Sequence, residues 1–352
     1  MSKMLEEIRQ QPAVLERTLA GELRRVERFR QAVATRRPHL VILAARGTSG
    51  NAALFGRYLL EITTGIPVSL AAPSAFTLYD ARLDLSGALA IGISQSGEST
   101  DTNIVIERAR KQGALTACIT NEGKSTLAGL AEFPFLVRAG REKSVAATKT
   151  YTGQLMMLYM LAYALGAAVR VEHLRRIPEW TTAALSLEPE IRTLAERYRF
   201  MQQAVVVGRG LNFSNAFELS LKLMETCYVV AERFSSADLL HGPIAMLERS
   251  FPVFLFAPPG VTWPGNREII GKLRALKADV LLITDEANRE ARAAARAVTI
   301  PAKLVPRGSS PEELYTPVPY IVPAQLFAAC LAEVKELDPD RPRMLSKVTK
   351  TL

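Results

Sequence analysis

Short apolar runs alternate with amphipathic stretches along most of the chain. The first 36 residues predict a helix, because Leu15, Leu19, Leu23 and Val26 recur at helical spacing between charged residues. Beyond them come short apolar runs typical of buried strands, mostly separated by helical stretches. The strands predicted in the first half cover residues 39–45, 67–71, 88–93, 115–120 and 133–137. Apolar strands that alternate with helices predict a parallel sheet covered on both faces.

The same order of elements recurs in the second half. Arg46-Gly47 ends the first predicted strand, and Arg209-Gly210 ends another one 163 residues further on. Two more pairs keep nearly that offset: Ser74-Ala75 with Ser236-Ala237, and Ile119-Thr120 with Ile283-Thr284. Chance similarity between two generic α/β halves is the alternative, but the shared order favours duplication. The predicted fold class is therefore α/β, with two tandem doubly wound parallel-sheet units.

The repeat also sets the predicted domain boundaries. We predict an N-terminal helix at 1–36, a first unit at 37–180, and a second unit at 190–336. A linker is expected near 178–187. The tail at 337–352 contains Pro339 and Pro342 and fits neither repeat.

Composition excludes several classes of protein. With 48% hydrophobic and 22% charged residues, the 352-residue chain has an ordinary globular composition. Three cysteines and three histidines are too few for a disulfide framework, a zinc site or a histidine-rich centre, so no metal is predicted. No cofactor is predicted either. The net charge of +9 would suit nucleic acid, acidic lipid or a phosphorylated small molecule. Because the arginines are spread along amphipathic stretches, we predict no nucleic-acid or membrane partner.

The beginning of the sequence and its apolar runs favour a cytoplasmic protein. The first residues are charged, and no apolar leader follows them. The longest apolar run, at 155–169, is shorter than the roughly 18 residues of a membrane helix. It is expected to be a buried core helix.

Two strand ends of the first repeat are rich in hydroxyl groups and glycine, namely 46–50 and 94–100. Ligands of open parallel sheets bind beyond the carboxyl ends of the strands. Hydroxyls and free backbone N–H groups at the start of a helix form an anion site. Helix capping is the alternative, but one cap needs one hydroxyl and the second segment has four. We therefore predict phosphate binding. The sequence contains neither a Walker loop nor a G-x-G-x-x-G motif after the first strand.

A second set of candidates lies in the second repeat. Glu218, Lys222 and Glu225 share one face of a predicted helix. Such spacing usually means a surface charge ladder, but the flanking residues are apolar nearly all round, which predicts a buried helix. His241 follows a polar segment and precedes Gly242-Pro243; a single histidine is more often structural than catalytic.

These motifs as a set resemble the sugar isomerase (SIS) domain family, in particular the isomerase half of glutamine–fructose-6-phosphate aminotransferases and the stand-alone glucosamine-6-phosphate deaminases of SIS type. The resemblance covers nearly the whole chain. It rests on Gly47-Thr48-Ser49, Ser94 to Glu98, Val145 to Lys149, Glu218 to Glu225, His241-Gly242-Pro243 and the tail from Asp340 to Lys347.

The resemblance implies a role for each matching residue. Ser94, Gln95, Ser96 and Ser99 would hold the phosphate of a small phosphorylated sugar. The segment Gly47-Thr48-Ser49 would contact the sugar, with the Val145 backbone nearby. Glu225 would move a proton between C1 and C2, and Lys222 would balance its charge. His241 would assist ring opening from the partner subunit of a homodimer with a shared active site, and Lys347 would meet the sugar carbonyl. Each residue type suits its step, since carboxylates shuttle protons, histidine titrates near neutral pH and an amine can form an imine.

The sequence also departs from the family pattern. Arg46 replaces a cysteine, Ala147 replaces a serine, Ser99 replaces a threonine, and the residues after Lys347 differ. No glutaminase domain precedes the isomerase half in the printed sequence. The expected activity is therefore conversion of glucosamine 6-phosphate and water to fructose 6-phosphate and ammonia. The alternatives are a galactosamine-6-phosphate or fructosyl-amine phosphate enzyme, a subunit that depends on a separate glutaminase, and a non-catalytic sugar-phosphate sensor.

Overall fold

The computed structural model describes residues 2–345 and Lys347, and it divides into two compact units. The N-unit comprises Ala13–Glu142, Lys149–Arg175 and the described residues of Leu345–Leu352. The C-unit comprises the described residues of Met1–Pro12 together with Lys143–Thr148 and Arg176–Met344.

Two helices form the start of the chain, α1 (Lys3–Arg9) and α2 (Gln11–Arg36). The sequence predicted one helix over 1–36, but the helix is interrupted at Gln10. Pro12 explains the interruption, since proline lacks the N–H that a continuous helix would need there yet fits the first turn of a new helix.

The N-unit contains a five-stranded parallel sheet in the order β2-β1-β3-β4-β5. Its strands are β1 (Leu40–Ala45), β2 (Val68–Leu70), β3 (Ala88–Ile93), β4 (Leu115–Thr120) and β5 (Phe133–Leu136). The predicted strands agree with these bounds to within one residue at each end, because strands buried on both faces form continuous apolar runs that are easily recognised.

The helices that follow α2 in the N-unit are α3 (Gly47–Thr64), α4 (Pro73–Thr77), α5 (Thr100–Lys111), α6 (Thr126–Leu130), α7 (Lys149–Ala164) and α8 (Val171–Leu174). One core cluster includes Ile42, Ala90, Val105 and Leu127. Helix α7 is buried along almost its whole length. The apolar run at 155–169 is thus a core helix up to Ala164, as the sequence predicted.

The C-unit contains a second five-stranded parallel sheet with the same connectivity, in the order β10-β9-β8-β6-β7. Its strands are β6 (Gln203–Gly208), β7 (Val230–Ser235), β8 (Pro252–Phe256), β9 (Asp279–Asp285) and β10 (Arg296–Ile300). The backbones also agree where the repeats were recognised, since Gly47 and Gly210 have φ values of 53° and 57°. The predicted duplication is confirmed.

The helices of the C-unit after α1 are α9 (Ile177–Leu185), α10 (Glu188–Arg197), α11 (Phe213–Cys227), α12 (Ser236–Leu240), α13 (Trp263–Ala275), α14 (Arg289–Ala294) and α15 (Pro317–Val334). Its core includes Val207, Leu255, Ile269 and Leu282. Most of 178–187, where a linker was expected, lies in α9. Trp180 of this helix is only 2% exposed, so the segment is packed rather than solvated.

Helix α15 is long and apolar enough to cross a membrane by length and composition, the single helix among residues 2–345 for which this is true. However, 89% of it is buried inside the protein, which is typical of a core helix. This helix therefore gives only weak evidence for a membrane span.

The first part of the tail is fixed to the C-unit. The carboxylate of Asp340 accepts the backbone N–H groups of Lys3, at 2.7 Å, and Met4, at 2.9 Å, at the start of α1. The Arg343 N–H donates to the Tyr228 hydroxyl at 3.0 Å, and its guanidinium carbon lies 4.5 Å from the centre of the Tyr228 ring. Ser346 and residues 348–352 of the predicted tail lie outside the described residues.

Candidate functional site

The hydroxyl-rich segments of the N-unit begin side by side at the centre of its sheet. Strands β1 and β3 are neighbours, and their last residues, Ala45 and Ile93, are paired. Arg46 and Ser94 therefore leave the sheet next to each other. The chain continues from β1 to β2 on one side and from β3 to β4 on the other, so this is the switch point at which doubly wound sheets bind ligands.

The segment at 94–99, called the hydroxyl loop below, is a tight, internally bonded turn. The Ser94 hydroxyl accepts the Gly97 N–H at 3.1 Å, and the Ser96 hydroxyl accepts the Glu98 N–H at 3.3 Å. Gly97 has φ 67°, and a Cβ there would lie 2.1 Å from the Ser125 hydroxyl oxygen, so only glycine fits. These contacts fix the loop in one conformation.

Helix α5 begins directly after this loop without a side-chain cap. Ser99 occupies the N-cap position, but its hydroxyl makes no bond to the N–H groups of the first turn. It instead accepts the Thr102 hydroxyl at 3.2 Å. Simple capping therefore does not explain the serines. Gln95, Ser96 and Ser99 are half-buried beside a 12-residue helix whose first N–H groups are available to an anion.

The other candidate segment of the N-unit forms the start of α3. Gly47 is exposed, Thr48 is half-buried and Ser49 is buried. The side-chain amide of Gln154 on α7 donates to the Ser49 hydroxyl oxygen at 3.0 Å. The structure thus places both predicted substrate-binding segments at one switch point, and Gln154 fixes the orientation of Ser49.

The charged residues of α11 form a buried cluster in the C-unit. The Lys222 ammonium lies 2.7 Å from the Glu225 carboxylate and 3.5 Å from that of Glu218. The side chains of Lys222 and Glu218 are 1% and 0% exposed, whereas that of Glu225 is 23% exposed. The surface-ladder alternative is wrong. Glu225 is a carboxylate held by a buried cation and still accessible from outside, which suits a residue that exchanges protons with a substrate.

His241 follows α12, a short helix where the sequence indicated a polar loop. The histidine is exposed, and its backbone N–H donates to the Asp238 carbonyl at 3.0 Å. Gly242 has φ 132°, a conformation that favours glycine, so the chain turns sharply directly after the histidine. The imidazole of His241 is therefore accessible from outside the protein.

Val145 lies half-buried in a C-unit segment that Glu7 holds in place. The buried Glu7 carboxylate accepts the backbone N–H groups of Lys143 and, at 3.1 Å, Ser144. Sequence reasoning assigned no role to Glu7. No local pattern could have found it, because its partners are 136 and 137 residues away.

Lys347 is bound by a second buried carboxylate, in the N-unit. Its ammonium lies 2.9 Å from Glu142, which also accepts the Thr150 hydroxyl at 2.7 Å and the Thr150 N–H at 3.2 Å. The side chain of Glu142 is 0% exposed, whereas that of Lys347 is 27% exposed. Glu142 is another residue that sequence reasoning missed. It holds the tail lysine while leaving it partly accessible.

The corresponding switch point of the C-unit is closed by an internal carboxyl group. The chain after β8 reads Ala257-Pro258-Pro259-Gly260, and the two prolines have no N–H to offer an anion. A Cβ on Gly260 would lie 2.3 Å from an oxygen of Glu313, so this carboxyl packs directly on the glycine backbone. Glu313 is 2% exposed. Of these two equivalent switch points, the hydroxyl loop of the N-unit is the candidate anion site that remains open.

Replacing Glu313 by glutamine is expected to make protein stability less sensitive to rising pH. Burial raises the pKa of Glu313, so the folded state favours its protonated form. The stability from that form is present at low pH and lost as pH rises through the raised pKa, whereas a glutamine side chain does not ionise. The melting temperature of Glu313→Gln minus that of the wild type should increase from about pH 4 to about pH 8. Glu312→Gln, at the exposed neighbouring position, should show no such trend. A pH-independent difference for Glu313→Gln would contradict the argument.

Cysteine and metal chemistry receive no support from the described residues. Within residues 2–345 and Lys347, no group of three or more His, Cys, Asp or Glu side chains could hold a metal ion. The three cysteines are free and buried, and burial raises the pKa of Cys118 to about 12, which leaves it a poor nucleophile.

The sequence matches the SIS domain family over residues 36–164 and 201–304, that is, over both sheets. The chain belongs to this family. The predicted resemblance and the predicted fold are both confirmed.

Related sequences include glutamine–fructose-6-phosphate aminotransferases of the isomerizing type. The protein of Pyrococcus horikoshii is 33% identical over an alignment of 351 residues, and the alignment covers 98% of this chain and 57% of the relative. A protein of Thermus thermophilus is 33% identical over an alignment of 357 residues, gaps included, which covers 98% of this chain and 58% of the relative. The chain thus spans little more than half the length of these SIS relatives.

Solved structures show the same fold over nearly the whole chain. The C-terminal domain of glucosamine-fructose-6-phosphate aminotransferase from Francisella tularensis has a TM-score of 0.85 at 26% identity, covering 97% of this chain and 98% of that one. A candidate phosphosugar isomerase from Silicibacter pomeroyi has a TM-score of 0.85 at 32% identity, covering 97% and 100%. Glucosamine-6-phosphate deaminase of Thermotoga maritima, at 21% identity and a TM-score of 0.74, shares the fold over 99% of this chain and 100% of its own.

Proposed function

We propose that this SIS protein is a phosphosugar enzyme of the isomerase type, acting as an aminosugar-6-phosphate deaminase. The observation that best supports a phosphorylated substrate is the hydroxyl loop before the uncapped start of α5. Neutral donors and open backbone N–H groups at a helix start suit a phosphate group. Ser94, Gln95, Ser96 and Ser99 are proposed to bind it, with Gly47, Thr48, Ser49 and the Val145 backbone on the sugar.

The proposed reaction moves one proton and releases ammonia. His241 assists opening of the glucosamine 6-phosphate ring by transferring a proton between the ring oxygen and the C1 oxygen. Glu225 takes the proton from C2 and returns it to C1, while Lys222 keeps the carboxylate in place. The product is an imine at C2. Exchange of this imine nitrogen for a water oxygen releases ammonia and gives fructose 6-phosphate.

Lys347 is proposed to act at C2 as an amine nucleophile. The Lys347 ammonium gives a proton to the imine nitrogen and, as a free amine, forms a bond to C2. A second proton then passes from the lysine nitrogen to the original nitrogen, whose bond to C2 breaks so that ammonia leaves. Water finally hydrolyses the lysine imine and releases the ketose. The partial exposure of Lys347 and its attachment to Glu142 support this role, because the amine is held and still accessible. We also propose a cytoplasmic homodimer in which His241 of one protomer serves the other, as the family resemblance implies.

The proposal is tested by incubating the purified full chain with glucosamine 6-phosphate, galactosamine 6-phosphate and a fructosyl-amine phosphate, and measuring ammonia and ketose phosphate. Equal amounts of ammonia and fructose 6-phosphate from glucosamine 6-phosphate are expected. A parallel reaction with fructose 6-phosphate and glutamine should form no amino sugar.

Each alternative gives a different result in this assay. Turnover of another amino sugar alone would change the substrate but keep the reaction class. Turnover only with an added glutaminase would indicate an aminotransferase subunit. Binding of sugar phosphates without any turnover would contradict the enzyme proposal and favour a sensor.

A further inference from the structure

Arg46 lies at the entrance of the switch point, directly before Gly47. Its Nε and Nη2 atoms donate to one oxygen of Asp101 at 3.0 Å and 2.7 Å. Asp101 belongs to the first turn of α5, two residues after Ser99, and is only 2% exposed. A guanidinium from the end of β1 is therefore fixed against the helix start that follows the hydroxyl loop.

The bond to Asp101 uses only part of the guanidinium. Arginine has five N–H donors in a planar fork, and the contact to Asp101 occupies the Nε and Nη2 side. Within the described part of the chain, Nη1 has no hydrogen-bond partner. The Arg46 side chain is 53% exposed, whereas the Asp101 side chain is 2% exposed. The arginine is thus anchored on one side and open to a ligand on the other.

The charges around the hydroxyl loop also favour a positively charged side chain beside the bound phosphate. Residues 94–101 include no lysine or arginine, and Glu98 and Asp101 contribute two carboxylates. A phosphate dianion that approaches these carboxylates is repelled unless a positive charge balances them. Arg46 neutralises the charge of Asp101, and its remaining N–H groups can still donate to a ligand. Arginine binds phosphate oxygens through charge-assisted hydrogen bonds.

The other repeat gives an internal comparison. Arg209 occupies the equivalent position after β6, but its Nη1 atom lies 3.4 Å from the Ser236 hydroxyl oxygen. The switch point there is closed by Glu313. Of the two equivalent arginines, Arg46 is the one beside an open anion site.

We propose that Arg46 is a substrate-binding residue that donates to the phosphate group of the sugar phosphate, and that Asp101 is the positioning residue that fixes its guanidinium. The inference rests on the proposed function only for the class of ligand, a phosphorylated sugar. The inference adds a positively charged hydrogen-bond donor, Arg46, to a site whose loop otherwise offers neutral donors.

Calorimetric titration of the full chain with inorganic phosphate and with fructose 6-phosphate tests the proposal. Arg46→Ala should raise both dissociation constants by about 10- to 100-fold, the usual worth of a charge-assisted hydrogen bond. Arg57→Ala is the matched control, because Arg57 lies on α3, the helix that begins directly after Arg46, and pairs with Glu61 on the surface. It should change neither constant by more than about twofold. An equally small effect of Arg46→Ala would overturn the proposal.

A double-mutant cycle separates binding by Arg46 from mere neutralisation of Asp101. If Arg46 contacts the phosphate, Arg46→Ala should still weaken binding at least about 10-fold in the Asp101→Asn background, because the asparagine side chain keeps an oxygen that accepts from the guanidinium. If Arg46 only shields the carboxylate, Asp101→Asn should remove the effect, and the proposal is then wrong. Thermal melts verify that each variant is folded. Arg46→Gln, which keeps most of the side-chain length, replaces Arg46→Ala if the alanine variant does not fold.

The readout distinguishes this inference from the proposed reaction. Arg46-dependent binding without ammonia release would contradict only the deaminase activity and would support the role of Arg46. Absence of binding of both probes by the wild-type protein at millimolar concentration would overturn the role of Arg46.

Discussion

Replacing Glu225 by glutamine is expected to lower turnover of the amino-sugar phosphate by about 10²- to 10⁴-fold, the usual contribution of a general base. Glutamine keeps the size of the side chain but cannot take a proton. Lys222 would keep Glu218 as a charged neighbour, at 3.5 Å, so the fold should survive. Steady-state rates of ammonia release, together with the dissociation constant for fructose 6-phosphate, measure the two effects separately. Binding should change little, because the proposed phosphate contacts belong to the hydroxyl loop and Arg46.

Glu268→Gln is the matched control for this experiment. Glu268 pairs with Lys272 on the surface of α13, and both side chains are more than half exposed, so the same chemical change should leave turnover unaltered. Wild-type turnover in Glu225→Gln would show that the carboxylate is structural and that another group moves the proton.

The sequence predicted the sheets well because their signals are local. Strands buried on both faces are continuous apolar runs, so β3 and β4 match the predicted bounds. Loops at the carboxyl ends of parallel strands share one edge, so the strand pattern alone was enough to expect Gly47 and Ser94 at one site. The cluster on α11 was also predictable, because helical spacing and apolar neighbours both lie within one short segment.

The partners that hold the functional side chains could not be predicted in this way. Arg46 and Asp101 are 55 residues apart, and Lys347 and Glu142 are 205 residues apart. The closing of the second switch point by Glu313 likewise joins distant segments. A single sequence carries no periodic signal for such pairs. Pro258-Pro259 was the one visible sign that the second repeat lacks the N–H donors of the first.

The two repeats share one topology but carry different chemistry. After β3, the N-unit has a loop of hydroxyls and an uncapped helix. After β8, the C-unit has two prolines and a buried carboxyl group, while its α11 carries a buried lysine between two glutamates. The two units thus share a fold and differ in the polar groups at these strand ends and on α11. Such a division fits the general finding that function resides in sites placed on a fold.

Replacing Lys347 by alanine is expected to lower turnover by about 10³-fold or more, because the proposed covalent intermediate could not form without this amine. Asp340 and Arg343 anchor the preceding tail to the C-unit, so the lysine is supplied by a chain segment fixed a few residues earlier. Removal of residues 346–352 should therefore abolish turnover in a protein that still folds, because both anchors remain. Its melting temperature should fall by about as much as that of Lys347→Ala, because both changes remove the cation beside the buried Glu142. Arg341→Ala, at an exposed tail position, is the control and should keep full activity.

Chemical trapping separates an imine-forming lysine from a solvated one. Borohydride added during incubation with fructose 6-phosphate should attach the reduced sugar to the peptide that contains Lys347, and mass spectrometry of the digest locates it. Glu142→Gln should slow both trapping and turnover, because the ammonium loses the carboxylate that holds it at 2.9 Å. Near-normal turnover in Lys347→Ala, or label found only on other lysines, would show that the tail lysine takes no part in the reaction and that Glu142 merely neutralises a surface charge.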